Sequence, residues 1–434
     1  ILDMVYNHVG PDGNYLSQFS EDYFSPKYKS EWGEAINYDG DNSVPVREWV
    51  TSNAAYWADE YHLDGLRLDA TQQIFDTSSE NIMAALSKSM RAAAGERSVF
   101  IVAENESQQT RLVRPCEEGG YGLDGLWNDD FHHTARVAVT GRNEAYYTDY
   151  HGKPQELIST AKYGYLYQGQ RYSWQAKRRG TPAWGLRPAQ FVTYIENHDQ
   201  VANSGRGERM HQLTSPGRYR AITAFLLLAP GTPMLFQGQE FASSSPFYFF
   251  ADHEHRLRGL VWEGRIQSLW QFRSLSQAEM RPYLPDPGDP ATFERSKLDF
   301  SERQSHAEIY QLHKDLLRLR REEPVFLAQR SGGLDGAVLA EEATLLRYFG
   351  GSIGRPGDDR LLIVNLGRDL KLDPAPEPLL APPEDRVWEL LWSSEAPCYG
   401  GAGTPTVDSG IGWRIPGHAA VVMRPAPQSD EWTI

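Results

Sequence analysis

The sequence predicts an α/β fold of parallel strands joined by helical crossovers, followed by a small antiparallel β domain. Three observations carry this. Short apolar runs alternate with helix-period segments over the first three quarters of the chain. Three of those runs end in an acid: Gly65-Leu66-Arg67-Leu68-Asp69, Ile101-Val102-Ala103-Glu104 and Ile195-Glu196-Asn197-His198-Asp199. After about Ala328 the texture changes to short strands separated by Gly- and Pro-rich turns.

Taken in order, Ile1 to Tyr6 reads as a strand ending in Asn7-His8, and a long polar and aromatic connection follows from Gly10 to about Pro45. Val46, Trp49, Val50, Trp57 and Tyr61 fall on one helical face. Gly65 to Leu68 is strand-like, Asn81 to Ala94 helical and Val99 to Ala103 a strand. Gly125 to Trp127 is a weaker strand and Phe191 to Ile195 a strong one. Tyr219 to Leu228 is helical, and Pro233 to Phe236 closes the series. Ile309, Leu312, Leu316 and Leu319 mark an amphipathic helix ended by Pro324.

The expected fold class is therefore a (β/α)8-type barrel, residues 1–328, with a C-terminal antiparallel β-sandwich domain, residues 329–434. Six strand–helix units are visible where a closed barrel needs about eight. The first two are expected upstream of Ile1. Open sheet edges invite aggregation, so this piece alone is expected to be poorly soluble and inactive. In the second domain, Thr344 to Phe349, Leu361 to Leu366, Val387 to Trp392 and Ala419 to Met423 read as strands.

Composition narrows the function. The 43 basic and 58 acidic residues leave a net charge of −15, which argues against nucleic acid, whose binding rests on Lys and Arg neutralising phosphates. No apolar stretch is long enough to span a membrane. Cys116 and Cys398, far apart in sequence, form neither a disulfide framework nor a metal motif. Reduced thiols in a cytoplasmic protein are expected. No carboxylate-rich loop of the EF-hand type accompanies Asn7, so neither metal nor cofactor is expected.

In a parallel barrel the strand tips converge on one face. An acid at one tip more often caps a helix or pairs with an Arg. Acids and polar groups at four successive tips are not explained that way. Arg67 alternates with Asp69, so both side chains point the same way and the cation keeps the carboxylate ionised. That suits a nucleophile or an ion pair. Glu104 follows three apolar residues, where a carboxyl can hold its proton and act as a general acid. Paired acids of this kind break glycosidic bonds, and a retaining pair stands about 5–5.5 Å apart. Aromatics crowd the connections: Tyr15, Tyr23, Phe24, Tyr28, Trp32 and Tyr38, then Trp127, Phe131, Tyr146, Tyr147 and Tyr150. Some are core, and others suit stacking on sugar rings.

These residues resemble the α-amylase superfamily of glycoside hydrolases. Asp3-Met4-Val5-Tyr6-Asn7-His8, Gly65 to Asp69, Glu104, and Asn197-His198-Asp199 look like its four signatures in order. Within the superfamily, Trp32 to Tyr38, Trp127 to His133, Gly207-Glu208-Arg209, Gln237 to Ala242 and Pro246 to Phe250 most resemble the malto-oligosyltrehalose trehalohydrolases. The resemblance implies Asp69 as nucleophile, Glu104 as general acid/base and Asp199 as transition-state stabiliser. It places Asn7, His8, Arg67, Gln72, Asn128, Asp129, Asp130, Phe131, His132, His198, Gln200 and Asn203 against the substrate, malto-oligosyltrehalose or a related α-glucan. Gln72 stands where family members often carry a His. A branching enzyme or a plain amylase is the alternative. A silent glycan-binding protein is disfavoured because all three acids are present.

Overall fold

The computed structural model describes residues 1–30, 33–330 and 332–428. It forms two compact units. The first contains Ile1–Asn128, Tyr167–Arg171 and Lys177–Val192; the second contains Asp129–Leu166, Tyr172–Ala176 and the chain from Thr193 onward.

The first unit is built on parallel strands in the order Leu2–Met4, Gly65–Leu68, Phe100–Ala103, Gly125–Trp127 and Phe191–Thr193, the last contributing its first two residues here. Their apolar side chains are buried on both faces: Leu66, Leu68, Ile101, Ala103 and Leu126 are almost wholly inaccessible. Continuous apolar runs of this kind belong to a sheet covered on both sides. The first strand is shorter than expected, Leu2–Met4 rather than Ile1 to Tyr6.

Two crossover helices follow the predicted pattern with one correction. Helix Ser43–Asp59 buries Val46, Val50, Ala54 and Ala58, an i, i+4 stripe. Trp49, expected on that face, is exposed instead, and Tyr61, exposed too, lies beyond the last helical residue, Asp59. Helix Ile82–Ala94 starts at Asn81, whose side chain accepts the Met83 N–H, and stops at Gly95. The connection read as irregular holds an antiparallel pair, Phe24–Ser30 with Gly33–Ile36. Trp32 lies outside the described residues.

Gly65 is required by close approach. A Cβ there would lie 1.9 Å from the Phe100 carbonyl oxygen of the neighbouring strand. Gly65→Ala is expected to force those two strands apart and destabilise the protein by about 3 kcal/mol, the upper range for overpacking. Denaturant titration checks this, and an unchanged midpoint would show that the strands yield without cost.

In the second unit, helix Pro216–Leu228 is buried almost all round, as expected for one inside a core. Helix Ala307–Glu322 packs Leu312 and Leu316 into the same apolar cluster. Its Arg320 donates to the carbonyls of Leu227, Ala229 and Gly231 at 2.8, 2.6 and 2.5 Å, satisfying the end of the buried helix. The strand expected at Pro233 to Phe236 is instead the two residues Thr232–Pro233, which share only Pro233 with that run.

The C-terminal strands form a five-stranded antiparallel sheet in the order Leu334–Ala340, Ala343–Tyr348, Arg360–Asn365, Ala419–Pro427, Arg386–Ser393. A two-stranded sheet, Leu370–Leu372 with Trp413–Ile415, accompanies it. Alternate residues serve two cores. Leu346, Leu362 and Val422 join the large cluster, while Leu345, Leu361, Ile363 and Met423 pack with Trp388 and Trp413. Strand periodicity dictates this division. Cys116 and Cys398 are free and exposed. Among the described residues no helix is long and apolar enough to cross a membrane.

Candidate active site

In the first unit the strand register places Asp3 beside Arg67, and the ladder continues past the strand ends through Asp69 N–H to Met4 O and Glu104 N–H to Leu68 O. The tips are thereby aligned. The Arg67 guanidinium is their hub. Its Nη1 pairs with Asp69 and, at 2.8 Å, with Asp3; its Nη2 donates to Glu104 Oε2 at 2.6 Å. It also lies 4.4 Å over the Trp127 ring. Arg67 is buried, whereas Asp69 and Glu104 are half-buried and open to a ligand. Burial alone would lower the Arg67 pKa. The charges of Glu104, Asp3 and Asp69 outweigh it and raise the value.

The sequence led to an apolar setting for Glu104. Instead its carboxyl meets two donors, Arg67 and the Ala70 N–H at 3.1 Å. Ala70 takes a left-handed φ of 39° to aim that N–H, a local strain held by its surroundings. Thr71 Oγ1 donates to the Glu104 carbonyl at 2.6 Å and receives Asn105 Nδ2 at 3.0 Å. Asn7 is fully buried and donates to the Asp69 carbonyl at 2.9 Å and to Oδ2 at 3.2 Å. His8 contacts the Asn7 amide oxygen. Burial lowers its pKa, opposed by the Asp69 charge. Gln72 accepts the Glu106 N–H at 3.3 Å.

In the second unit, Asn197 caps the short helix His198–Ala202 by accepting the N–H groups of Asp199 and Gln200 at 3.0 and 3.2 Å. This sets His198, Asp199 and Gln200 half-buried in its first turn, with His198 Nε2 3.6 Å from Asp199 Oδ2. Arg265 closes the other end, donating to Asn203 Oδ1 at 2.5 Å and Ala202 O at 2.7 Å.

The Asn128 to His132 group divides by burial. Asp129 is half-buried and accepts from Tyr194 OH at 2.6 Å. Asn128, Asp130, Phe131 and His132 are wholly inaccessible. Asp130 accepts from Tyr150 OH at 2.6 Å, Phe131 stacks on Phe225, and His132 Nδ1 faces His133 Nδ1 at 2.9 Å. Burial, aided by Arg136, holds the His132 pKa well below its usual value. The sequence reading set these four against the substrate; the structure instead leaves their side chains without accessible surface. Most of the crowded aromatics are likewise core, including Phe24, Tyr38, Trp127, Tyr147 and Tyr150, while Tyr15 is exposed. Asp3 and Arg265 were not singled out from the sequence. The register that sets Asp3 beside Arg67 is seen only in the structure.

Among the described residues, no group of three or more His, Cys, Asp or Glu side chains is placed to hold a metal ion.

Arg67→Lys keeps the charge but cannot bridge Asp69 and Glu104 at once. It is expected to cost about 10²-fold in kcat, the scale of a 1 Å misplacement. Steady-state kinetics on folded variant checks this; undiminished kcat would show the bridge to be dispensable.

The chain is similar to known proteins. Residues 331–422 match a family model described as a domain of unknown function, DUF3459. The chain is 39% identical over 378 residues to the malto-oligosyltrehalose trehalohydrolase of Deinococcus radiodurans, covering 85% of this chain and 59% of that protein. It is 36% identical over 323 residues to the enzyme of that name from Saccharolobus solfataricus, covering 74% and 54%. A crystal structure from Salmonella typhimurium, provisionally described as an alpha amylase, superposes with a TM-score of 0.81 at 29% identity, covering 98% of this chain and 68% of that one. In these matches the chain resembles the α-amylase superfamily of glycoside hydrolases. Within it, the relatives it is similar to are malto-oligosyltrehalose trehalohydrolases, and it spans between half and two thirds of the length of these two.

Proposed function

We propose that this chain is a retaining glycoside hydrolase that cleaves the α-1,4-glucosidic bond next to the terminal trehalose of malto-oligosyltrehalose and releases trehalose. The observation that carries the reading is the Arg67 guanidinium joining Asp69 and Glu104, which sit at the tips of adjacent parallel strands. The 39% identity to a trehalohydrolase supports the choice of substrate.

In this reading residues 1–328 form the catalytic part, built on a (β/α)8-type barrel, and residues 329–434 the β domain. Asp69 attacks the anomeric carbon and forms a glycosyl ester. Glu104 gives its proton to the departing oxygen, then takes one from the incoming water. Retention follows from the two inversions. Arg67 pairs with Asp69 and orients its carboxylate for the attack. Asp199 stabilises the charge that develops on the sugar. His8, Gln72, Asp129, His198, Gln200 and Asn203 contact the glucan; Asn7, Asn128, Asp130, Phe131 and His132 hold those contacts in place. No metal or cofactor enters the scheme, and the location is cytoplasmic.

Chromatography of the products tests it. Trehalose released from malto-oligosyltrehalose is the expected result. New α-1,6 branches on a linear glucan would identify a branching enzyme, and maltose from starch without trehalose release an amylase.

A further inference from the structure

We propose that Glu196 and Arg209 are positioning residues that hold the Asn197-His198-Asp199 turn in its working geometry. The inference rests on the reading of Asp199 as a catalytic carboxylate.

Glu196 immediately precedes the turn and is 2% exposed; Arg209 is 0% exposed. Glu196 Oε2 accepts the N–H of Met210 at 2.8 Å, and Oε1 lies 3.9 Å from Arg209 Nη1. Arg209 in turn donates from Nε to Ser245 O at 2.8 Å and from Nη1 to Gln237 O at 2.7 Å. Its guanidinium lies 5.2 Å over the Phe236 ring. One buried pair therefore ties together three segments: the residue before the turn, the start of helix Met210–Leu213, and the stretch from Phe236 to Ser245.

Those segments have little regular structure of their own. The stretch after Thr232–Pro233 holds only the single helical turn Gln239–Phe241. Its approach is tight as well. Gly207 has a φ of 66°, and a Cβ there would lie 2.7 Å from Phe247 O. To the few backbone hydrogen bonds these loops make among themselves, the pair adds fixed partners for the Met210 N–H and for the Gln237 and Ser245 carbonyls.

As a device for stability the pair is a poor choice. Burial pushes the Glu196 carboxyl up and the Arg209 guanidinium down. Apolar residues of similar volume often serve stability as well or better. What apolar residues could not do is bind two carbonyls and an N–H in specified directions. Beyond the turn, the Asn197 cap and Arg265 fix the helix that carries Asp199. Asp199 thus rides on a segment pinned at both ends, and Glu196 with Arg209 forms the first of the two pins.

The test is steady-state hydrolysis of malto-oligosyltrehalose by the full chain and by Glu196→Ala, Glu196→Gln and Arg209→Lys, each with a thermal melt. Glu196→Ala is expected to lower kcat by about 10²-fold, the scale of a 1 Å misplacement, with KM little changed. That split marks an interaction felt in the transition state. Glu196→Gln still offers an oxygen to Met210 N–H and should recover most of the loss. Arg209→Lys keeps the charge, gives up one carbonyl bond and should fall between. A purely structural pair would lower the melting temperature and leave the kcat of folded enzyme at the wild-type value. That result in either Glu196→Ala or Arg209→Lys overturns the proposal, and Arg209→Lys alone carries the test if Glu196→Ala fails to fold. Asp199→Asn, assayed alongside, separates the two levels. A fully active Asp199→Asn removes the reading of the site itself; an inactive Asp199→Asn with an unaltered Glu196→Ala removes only this inference.

Discussion

Asp69→Asn is expected to lower kcat by about 10⁴- to 10⁶-fold, the range seen when a covalent nucleophile is removed. The amide has nearly the volume of the carboxylate, so packing is kept. It cannot form the glycosyl ester, and no neighbouring group takes over. Asp3 sits one strand away with its carboxylate on the same guanidinium at 2.8 Å, yet its place is fixed by pairing with Arg67 in the sheet. Arg67 keeps Asp3 and Glu104 as partners in the variant, so the fold should survive. The measurement is kcat with a thermal melt. A folded variant within about tenfold of the wild type, far above the nucleophile scale, would assign Asp69 to the ion pair alone.

Glu104→Gln is expected to lower kcat by about 10²- to 10⁴-fold, the contribution of a positioned general acid/base. The amide oxygen can still accept from Arg67 Nη2 and the Ala70 N–H, the two donors at 2.6 and 3.1 Å. Geometry is therefore largely preserved while proton delivery is lost. The loss should depend on the leaving group. With α-glucosyl fluoride, whose fluoride departs without a proton, the first step should recover much of its rate. Equal losses on both substrates would show that Glu104 holds Arg67 and Asp69 in place rather than moving a proton.

The parts of the fold legible in the sequence are those where both faces of an element are buried. Ile101 to Ala103 is a continuous apolar run, and Gly65 to Leu68 is one but for the buried Arg67, because the sheet is covered on both sides. Each ends where its polar residue emerges, which is why Asp69 and Glu104 could be picked out. Ser43–Asp59 was harder to read. Its buried stripe is half alanine, while the conspicuous Trp49 faces solvent. Helix Asp129–Thr140 was missed because its first turn, Asp129-Asp130-Phe131-His132-His133, reads as a polar and aromatic loop. The buried Phe131, Ala135 and Val139 at i, i+4, i+8 were the available signal. The strands Leu370–Leu372 and Trp413–Ile415 are three residues each, too short for alternation to declare itself.

The site was legible as residue types and not as contacts. Arg67 beside Asp69 followed from strand alternation, but its reach to Glu104 depends on how two strands register, which one sequence does not state. Arg265 was out of reach for a similar reason. It acts 62 residues away from Asn203, partly on a backbone carbonyl, and a carbonyl leaves no mark in sequence. Burial likewise separates Asp129 from Asp130. The two are adjacent and identical in sequence, and each accepts a tyrosine hydroxyl at 2.6 Å; solvent exposure in the fold is what sets them apart.

The central claim is that Asp69 and Glu104 act as a retaining pair on malto-oligosyltrehalose. Proton NMR spectroscopy during the first minutes of digestion tests it most directly, because it reads the product and its anomeric form together. The account predicts free trehalose together with a malto-oligosaccharide whose new reducing end appears first as the α anomer and only later mutarotates. A reducing end appearing first as the β anomer would contradict the covalent mechanism, and digestion that yields no trehalose would contradict the substrate.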